Sequence, residues 1–524
     1  VKYFYNLLQA DYLQRTRSYS FLITLVFTVY MAYLFVPLHT ASYTTLNVPG
    51  FKGAYNSAWA GYVSAIMVTV MLSMYGFVLV NSGIKKDMDT EVGLIIACTP
   101  ISNFNYLLSK MLSNLMVLLT IVCCTFMVSI IMFFIRGSGY PFVLANFVLP
   151  YLILPVPAMF LVSALAVLAE VFLGKKTVLQ FLLYFMLFGI TMAAIKSQHA
   201  NSLTTLIDPF GLTTITSSIA QEISSGFHTE IKDPSFGFIF SGKKAFQVFI
   251  YEGVHWQLPF LISRLLWIGI SILLVYVSSF FFHRFDFQQP VSQKKVVAKV
   301  KETDGLNLIP KGIHRNLMPA LVTDYSIFPF VKTELLLLIR KGNKWFWLVN
   351  MGLWIGMCFA PLTIAHAYLL PVLWFLQVTR WSDLTTKEKT NRVHYFTFAA
   401  YRPLFRILPA QILSGVLLAI VLALPVILRY AIAGDVYSIV NIINGAILII
   451  SLAVCTGIIT GGKKLYEIVF FMLSYAVVNK LTFIDYLGSM SHDNRIGYTL
   501  ILTGLNMTAL LISFMVRNYQ SRHL

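Results

Sequence analysis

The run Gly237-Phe238-Ile239-Phe240-Ser241-Gly242-Lys243-Lys244 has the glycine and lysine spacing of a phosphate-cradling loop. That loop, G-x-x-x-x-G-K-[ST], needs a hydroxyl after the lysine to hold magnesium, and Lys244 stands there instead. The run also falls in a stretch expected to face outward, away from cytoplasmic ATP, and reads as a chance match. Other residue types that do chemistry are scattered. There is no H-E-x-x-H, no G-x-S-x-G and no pair of carboxylates within one apolar run. His199, His228 and His255 are too dispersed for a metal site. Cys98, Cys123, Cys124, Cys358 and Cys455 lack metal-ligand spacing and read as small apolar packing residues. The expectation is therefore no catalytic residue, no metal site and no cofactor on this chain. If ATP and magnesium drive it, a separate subunit binds them.

Composition sets the frame for these residues. Of the side chains, 58% are hydrophobic and 11% charged, where a soluble domain carries about 25% charged residues. Mean hydropathy is +0.75. Apolar runs of about 20 residues recur, each able to cross a hydrocarbon core of about 30 Å. A membrane β-barrel would instead show weakly alternating segments of about 10 residues. The formal net charge of +18 does not point to nucleic acid. The basic residues cluster between apolar runs, as the positive-inside rule expects. Glu170, Lys196, Arg264, Arg429, Glu467 and Lys480 lie near span ends, where snorkelling explains them. Glu170 and Glu467 read as local partners of nearby lysines.

The expected fold is an all-α polytopic membrane protein of about twelve spans, arranged six plus six. Residues 1–17 form a surface helix, with Tyr3, Phe4, Leu7, Leu8 and Tyr12 on one face and Gln9, Asp11 and Arg15 on the other. The first six spans are expected near 19–36, 59–80, 107–134, 147–173, 178–195 and 260–282, with a long outer loop at 197–258. A basic linker, 285–325, separates this first half (1–284) from a second (326–524). The second half repeats the plan. A surface helix covers 326–344, and spans follow near 345–361, 365–378, 408–432, 437–459, 465–483 and 497–516. Two landmarks mark the repeat. Gly174-Lys175-Lys176 and Gly462-Lys463-Lys464 both separate the fourth and fifth spans of their half, and Ala-Cys-Thr-Pro at 97–100 answers Ala-Tyr-Arg-Pro at 400–403. Both termini are expected inside, in the plasma (inner) membrane of a bacterial source.

The connection Gly83–Lys110 is too patterned for a plain loop. It runs from acids and lysines through an apolar turn to Thr99-Pro100, a helix restart. Within it, Glu91-Val92-Gly93, then Cys98-Thr99-Pro100-Ile101-Ser102, then Tyr106-Leu107-Leu108-Ser109-Lys110 resembles the cytoplasmic segment after the second span of type-2 ABC-exporter permeases. Ser109 replaces a usual Gly and Leu94 a common Thr. The second elbow departs further: Glu388 lacks a following Gly, and Arg402 stands in place of Thr.

The resemblance implies a permease of an ATP-driven exporter, worked by two copies of a separate ATPase subunit docked on the elbows. Coupling would fall to Glu91, Gly93, Thr99 and Pro100, with Arg402, Pro403 and Arg406 in the second half. Glu91 would pair with a basic residue of the ATPase, and Pro100 would fix the bend. It also implies that the second and fifth spans line the pathway, through Tyr62, Met67, Met71, Met74, Tyr75, Phe181, Tyr184, Phe185 and Phe188, and through Trp374, Phe470 and Tyr475. A soft aromatic wall of this kind suits an amphipathic or hydrophobic cargo such as a drug, peptide or lipid. The alternative is a major-facilitator-type secondary transporter driven by an ion gradient. Its G-x-x-x-D-R-x-G-R-R loop is matched here only by Gly83 and Asp87, with Met88 next. A membrane-embedded enzyme acting on lipids lacks any acid–base or metal constellation.

Overall fold

A computed structural model of the chain describes residues 2–38, 41, 43–137, 139–174, 176–194, 206–227, 234–240, 247–254, 256–282, 326–342, 344–479, 485–489 and 495–523. The linker 285–325, the three outer histidines, Lys175, Lys196, Lys480 and Ser241–Lys244 lie outside the described residues.

Helix α1 (Lys2–Thr16) meets α2 (Tyr19–Phe35) at a bend of 68°. Ser18 makes the break: its hydroxyl donates to Arg15 O and accepts from Phe21 N, the N-cap geometry that starts a new helix. Strands β1 (Tyr43–Asn47) and β2 (Phe51–Gly53) lead to α3 (Ser57–Val80), capped by Asn56. Helices α4 (Gly83–Asp89) and α5 (Val92–Ala97) form the first elbow. After it come α6 (Asn103–Arg136), α7 (Ala145–Ile153), α8 (Pro155–Leu173) and α9 (Thr177–Ala193). Next are α10 (Leu212–Phe227), β3 (Ser235–Phe240), β4 (Gln247–Phe249) and α11 (Leu258–Phe281). The remainder begins with α12 (Phe328–Arg340), α13 (Lys344–Phe359), α14 (Leu362–Ile364), a π-turn (Ala365–Leu369) and α15 (Leu370–Phe375). The second elbow is α16 (Val378–Trp381), α17 (Lys387–Thr390) and α18 (His394–Phe398). The chain ends with α19 (Pro403–Ala433), α20 (Val436–Thr460), α21 (Lys464–Val478) and α22 (Arg495–Arg522).

Each of the twelve apolar stretches is helical over most of its described length. Among the described residues, seven helices are long and apolar enough to cross a membrane, or eight if the bent α1–α2 pair counts as one. The others are short: α21 has 15 residues and α13 has 16. At about 1.5 Å per residue such helices fall short of a 30 Å core. The fold is not purely helical either. β1 pairs antiparallel with β3, and β2 pairs parallel with β4. The small sheets thus join the connection after α2 to the one before α11, which also carries the amphipathic helix α10; the strands are too short to leave a clear periodic signal.

Helix α3 is the core. Nearly all its side chains are buried, and it packs on α6, α7, α8 and α21. Gly61 lets α7 approach: a Cβ there would sit 2.1 Å from Asn146 O. The two groups of helices pack alike. α1 and α2 lie on α6, and α12 and α13 lie on α19; α6 packs on α8, which packs on α11, while α19 packs on α20, which packs on α22. One side-chain device recurs. Arg136 of α6 donates to Tyr33 O and Val36 O at the end of α2. Arg429 of α19 donates to Met357 O and Ala360 O at the end of α13. Both guanidiniums thus satisfy helix-terminal carbonyls, where a cation is also favoured by the helix dipole. Arg429 itself is half-buried. Arg264 is buried, donating to Asp208 O and to Pro209 O.

Candidate functional site

The first elbow has a buried root and an exposed tip. At the tip, Glu91 takes the left-handed backbone conformation (φ 60°) that separates α4 from α5. Gly93 and Ile96 face inward and are buried, while Val92, Leu94 and Ile95 face out, Ile95 at 70% exposure. Thr99 Oγ1 donates to Ile96 O, closing α5. Pro100 is exposed, and Ser102 accepts from Asn105 N to start α6. Glu91, Gly93, Thr99 and Pro100 therefore share one turn-rich knuckle, whose outer face is apolar with an acidic edge from Asp89 and Glu91.

The root is held by charge. Lys110, 2% exposed, lies 2.7 Å from Asp11 of α1 and 2.6 Å from Asp87 of α4. Tyr106 OH donates to Asp87 at 2.8 Å. Glu170 of α8 accepts from the backbone N–H groups of Ser82, Gly83, Ile84 and Lys85, at 2.7–3.1 Å. A carboxylate thus caps the N-terminus of α4, where unsatisfied donors and the dipole favour an anion. Arg15 donates to Val80 O.

Two expectations are corrected here. Asp11 and Arg15, assigned to the wet face of the surface helix, are turned inward because Lys110 and the end of α3 offer them partners. Glu170 partners a helix N-terminus rather than the described lysine of its Gly-Lys-Lys turn, Lys176, which is exposed. Lys110 was missed as a site residue; a lone lysine one turn into an apolar helix was the available signal.

The second elbow is built on the same plan with other residues. Lys387 pairs with Glu334 of α12. Glu388 accepts from Gln411 Nε2 at 2.6 Å and faces Arg517 of α22 at 3.9 Å. Burial pushes the Glu388 carboxyl above its usual range, against the opposing pull of its backbone hydrogen bond, Lys387 and Arg517. Arg402 is exposed, left-handed at φ 46°, and precedes Pro403 at the first position of α19. Arg406 donates to Ser326 O and lies over the Phe330 ring at 4.8 Å, so it braces α12. Tyr395, Phe396 and Tyr401 are exposed, Phe396 at 82%, beside exposed Arg392 and Arg402. The second tip is thus aromatic and basic where the first is aliphatic and acidic.

The residues assigned to the pathway do not form one wall. Phe181, Tyr184, Phe185, Phe188, Phe470 and Tyr475 lie on α9 and α21 near the seam between the two helix groups. Phe185 contacts Phe375, Phe471 and Tyr475, and Phe188 contacts Tyr475. Tyr184 stacks on Phe77 at 4.0 Å and donates to Ser73 O. These rings pack against one another across the seam, with Phe185 and Tyr475 half-buried. Met67, Met74 and Tyr75 are buried on α3, Tyr75 bonded to Thr28, and Met71 is half-buried there. Tyr62 sits apart, near the strands, stacked on Trp256 and accepting from Val254 N. Trp374 donates to Ala419 O and stacks on Tyr486.

Long apolar helices with buried, partnered interior charges make this a polytopic helical membrane protein. No family model, no curated protein and no solved structure matches the chain.

Proposed function

We propose that the chain is the membrane-spanning subunit of an ATP-driven exporter, with two fused six-span halves (1–284 and 326–524) joined by the linker 285–325. The observation that carries this reading is the first elbow. Val92, Leu94 and Ile95 are exposed on a short helix whose root is fixed by Asp87, Lys110 and Glu170. An apolar tip on a rigid base is the geometry of a push-rod seat: burying it against a soluble partner is favourable at about 25 cal/mol per Å², and force on it passes to α6 and α1. The partners are two ATPase subunits that bind ATP and magnesium, and the elbows face the cytoplasm with both termini. The shared packing of the two helix groups and the matched Arg136 and Arg429 contacts support the six-plus-six plan. Helices shorter than the bilayer core are accommodated by local thinning and by neighbours.

The cargo is amphipathic or hydrophobic, passing between aromatic walls when the halves rock apart. Glu91→Ala and Pro100→Gly should leave the protein folded in the membrane, with the ATPase still hydrolysing but export lost. Export at the wild-type rate in both variants would refute the assignment of the elbow.

A further inference from the structure

Lys464 opens α21, the fifth apolar helix of the second group, yet its ammonium is spent on the first group. It donates to Val78 O at 3.0 Å and to Ser82 Oγ at 3.2 Å. Glu467, one turn along its own helix, lies 3.6 Å away, and the Phe181 ring faces it at 5.7 Å.

The end of α3 is shaped to receive it. Ser82 N–H is the donor that would continue α3 onto Val78 O. It turns away instead, to Asn81 Oδ1 and Glu170, because Ser82 adopts φ 81° at the root of the first elbow. Val78 O is left at the negative end of a long buried helix, and a cation from the other group fills the gap. The contact is one-sided. Lys176, at the matching place in the first group, is exposed.

We propose that Lys464 is the inner latch of the seam. It ties α21 to the last turn of α3 and to the first residue before the elbow, at the Phe181 end of the aromatic run of Phe181, Tyr184 and Phe185. Because Ser82 is hinged to Glu170 and α4, a displacement of the elbow moves the acceptors off the ammonium, and the halves part at that end first. The latch as a seam contact stands on geometry alone; its use as a gate rests on the export reading.

The test needs neither nucleotide nor cargo. In a background with the five native cysteines replaced, Phe185→Cys is placed as a reporter in the seam, in membrane vesicles of the full chain. Its reaction with a small charged thiol reagent is timed from the elbow side. With the latch intact it should be nearly silent. Lys464→Met should speed the reaction about tenfold or more, the range expected when a charge-assisted hydrogen bond is lost, while Lys464→Arg should restore protection. A second readout guards against misfolding. A short bis-thiol-reactive linker should join Ser82→Cys to Lys464→Cys, and the joined halves should stay together after cleavage at a protease site inserted in 285–325. Equal reactivity of Phe185→Cys with the latch intact, in Lys464→Met and in Lys464→Arg, or no cross-link, overturns the proposal. Either failure leaves the elbow experiment untouched, and a failed elbow experiment leaves the cross-link result standing.

Discussion

Lys110 shows how a charge survives in this bundle. It is enclosed by α1, α4 and α6, with two carboxylates within 2.7 Å. Removing one member of such a buried set leaves uncompensated charge, at a cost of about 3–5 kcal/mol. Lys110→Met should therefore lower the thermal midpoint of the detergent-solubilised protein strongly, and the triple variant with Asp11→Asn and Asp87→Asn should recover much of it. A midpoint unchanged in Lys110→Met would show that the cluster holds nothing together.

Glu388 gives a pH signature at the same scale. Its folded carboxyl titrates above the unfolded one because burial disfavours the anion. The folded state thus holds a proton that the unfolded state has released. Its contribution to stability is greatest below the ordinary carboxylate range. It is lost as pH rises from there through the raised value. Glu388→Gln cannot ionise, so its midpoint should fall less than wild type between acid and neutral pH. A steeper fall in the variant would reverse the assignment.

At the scale of elements, the helices were legible because apolar runs report burial from water or lipid directly. Their sequence boundaries for α2, α3 and α6 lie within a few residues of the structure. What periodicity could not see was partnership. Asp11 and Arg15 look like a polar face until Lys110 is placed opposite, and Glu170 looks like a lysine partner until α4 turns its N–H groups toward it. The strands β1 to β4 were missed because each is three to six residues long and each finds its partner far along the chain. The elbows were legible as elbows, and their difference in chemistry follows from residue type alone. An acidic aliphatic tip and a basic aromatic tip would ask for different grooves, so the exporter reading predicts two docking contacts unequal in strength or in partner surface.

On the whole-molecule scale, the two groups of helices meet along α3, α9, α15 and α21 in an aromatic seam, with the Lys464 contact at one end. On the exporter reading, the elbows would be the handles and the seam what they open. The reading depends on something soluble gripping the tips.

The most direct measurement is affinity purification of the tagged chain from its native membranes, with ATP hydrolysis assayed in the eluate for wild type and Ile95→Asp. Ile95 is exposed, so the substitution should change folding stability by no more than about 0.5 kcal/mol. A docked ATPase predicts hydrolysis in the wild-type eluate and its loss in Ile95→Asp, with equal yield of the membrane chain. A single chain without hydrolysis in either sample, moving cargo on an ion gradient alone after reconstitution, would contradict the exporter reading.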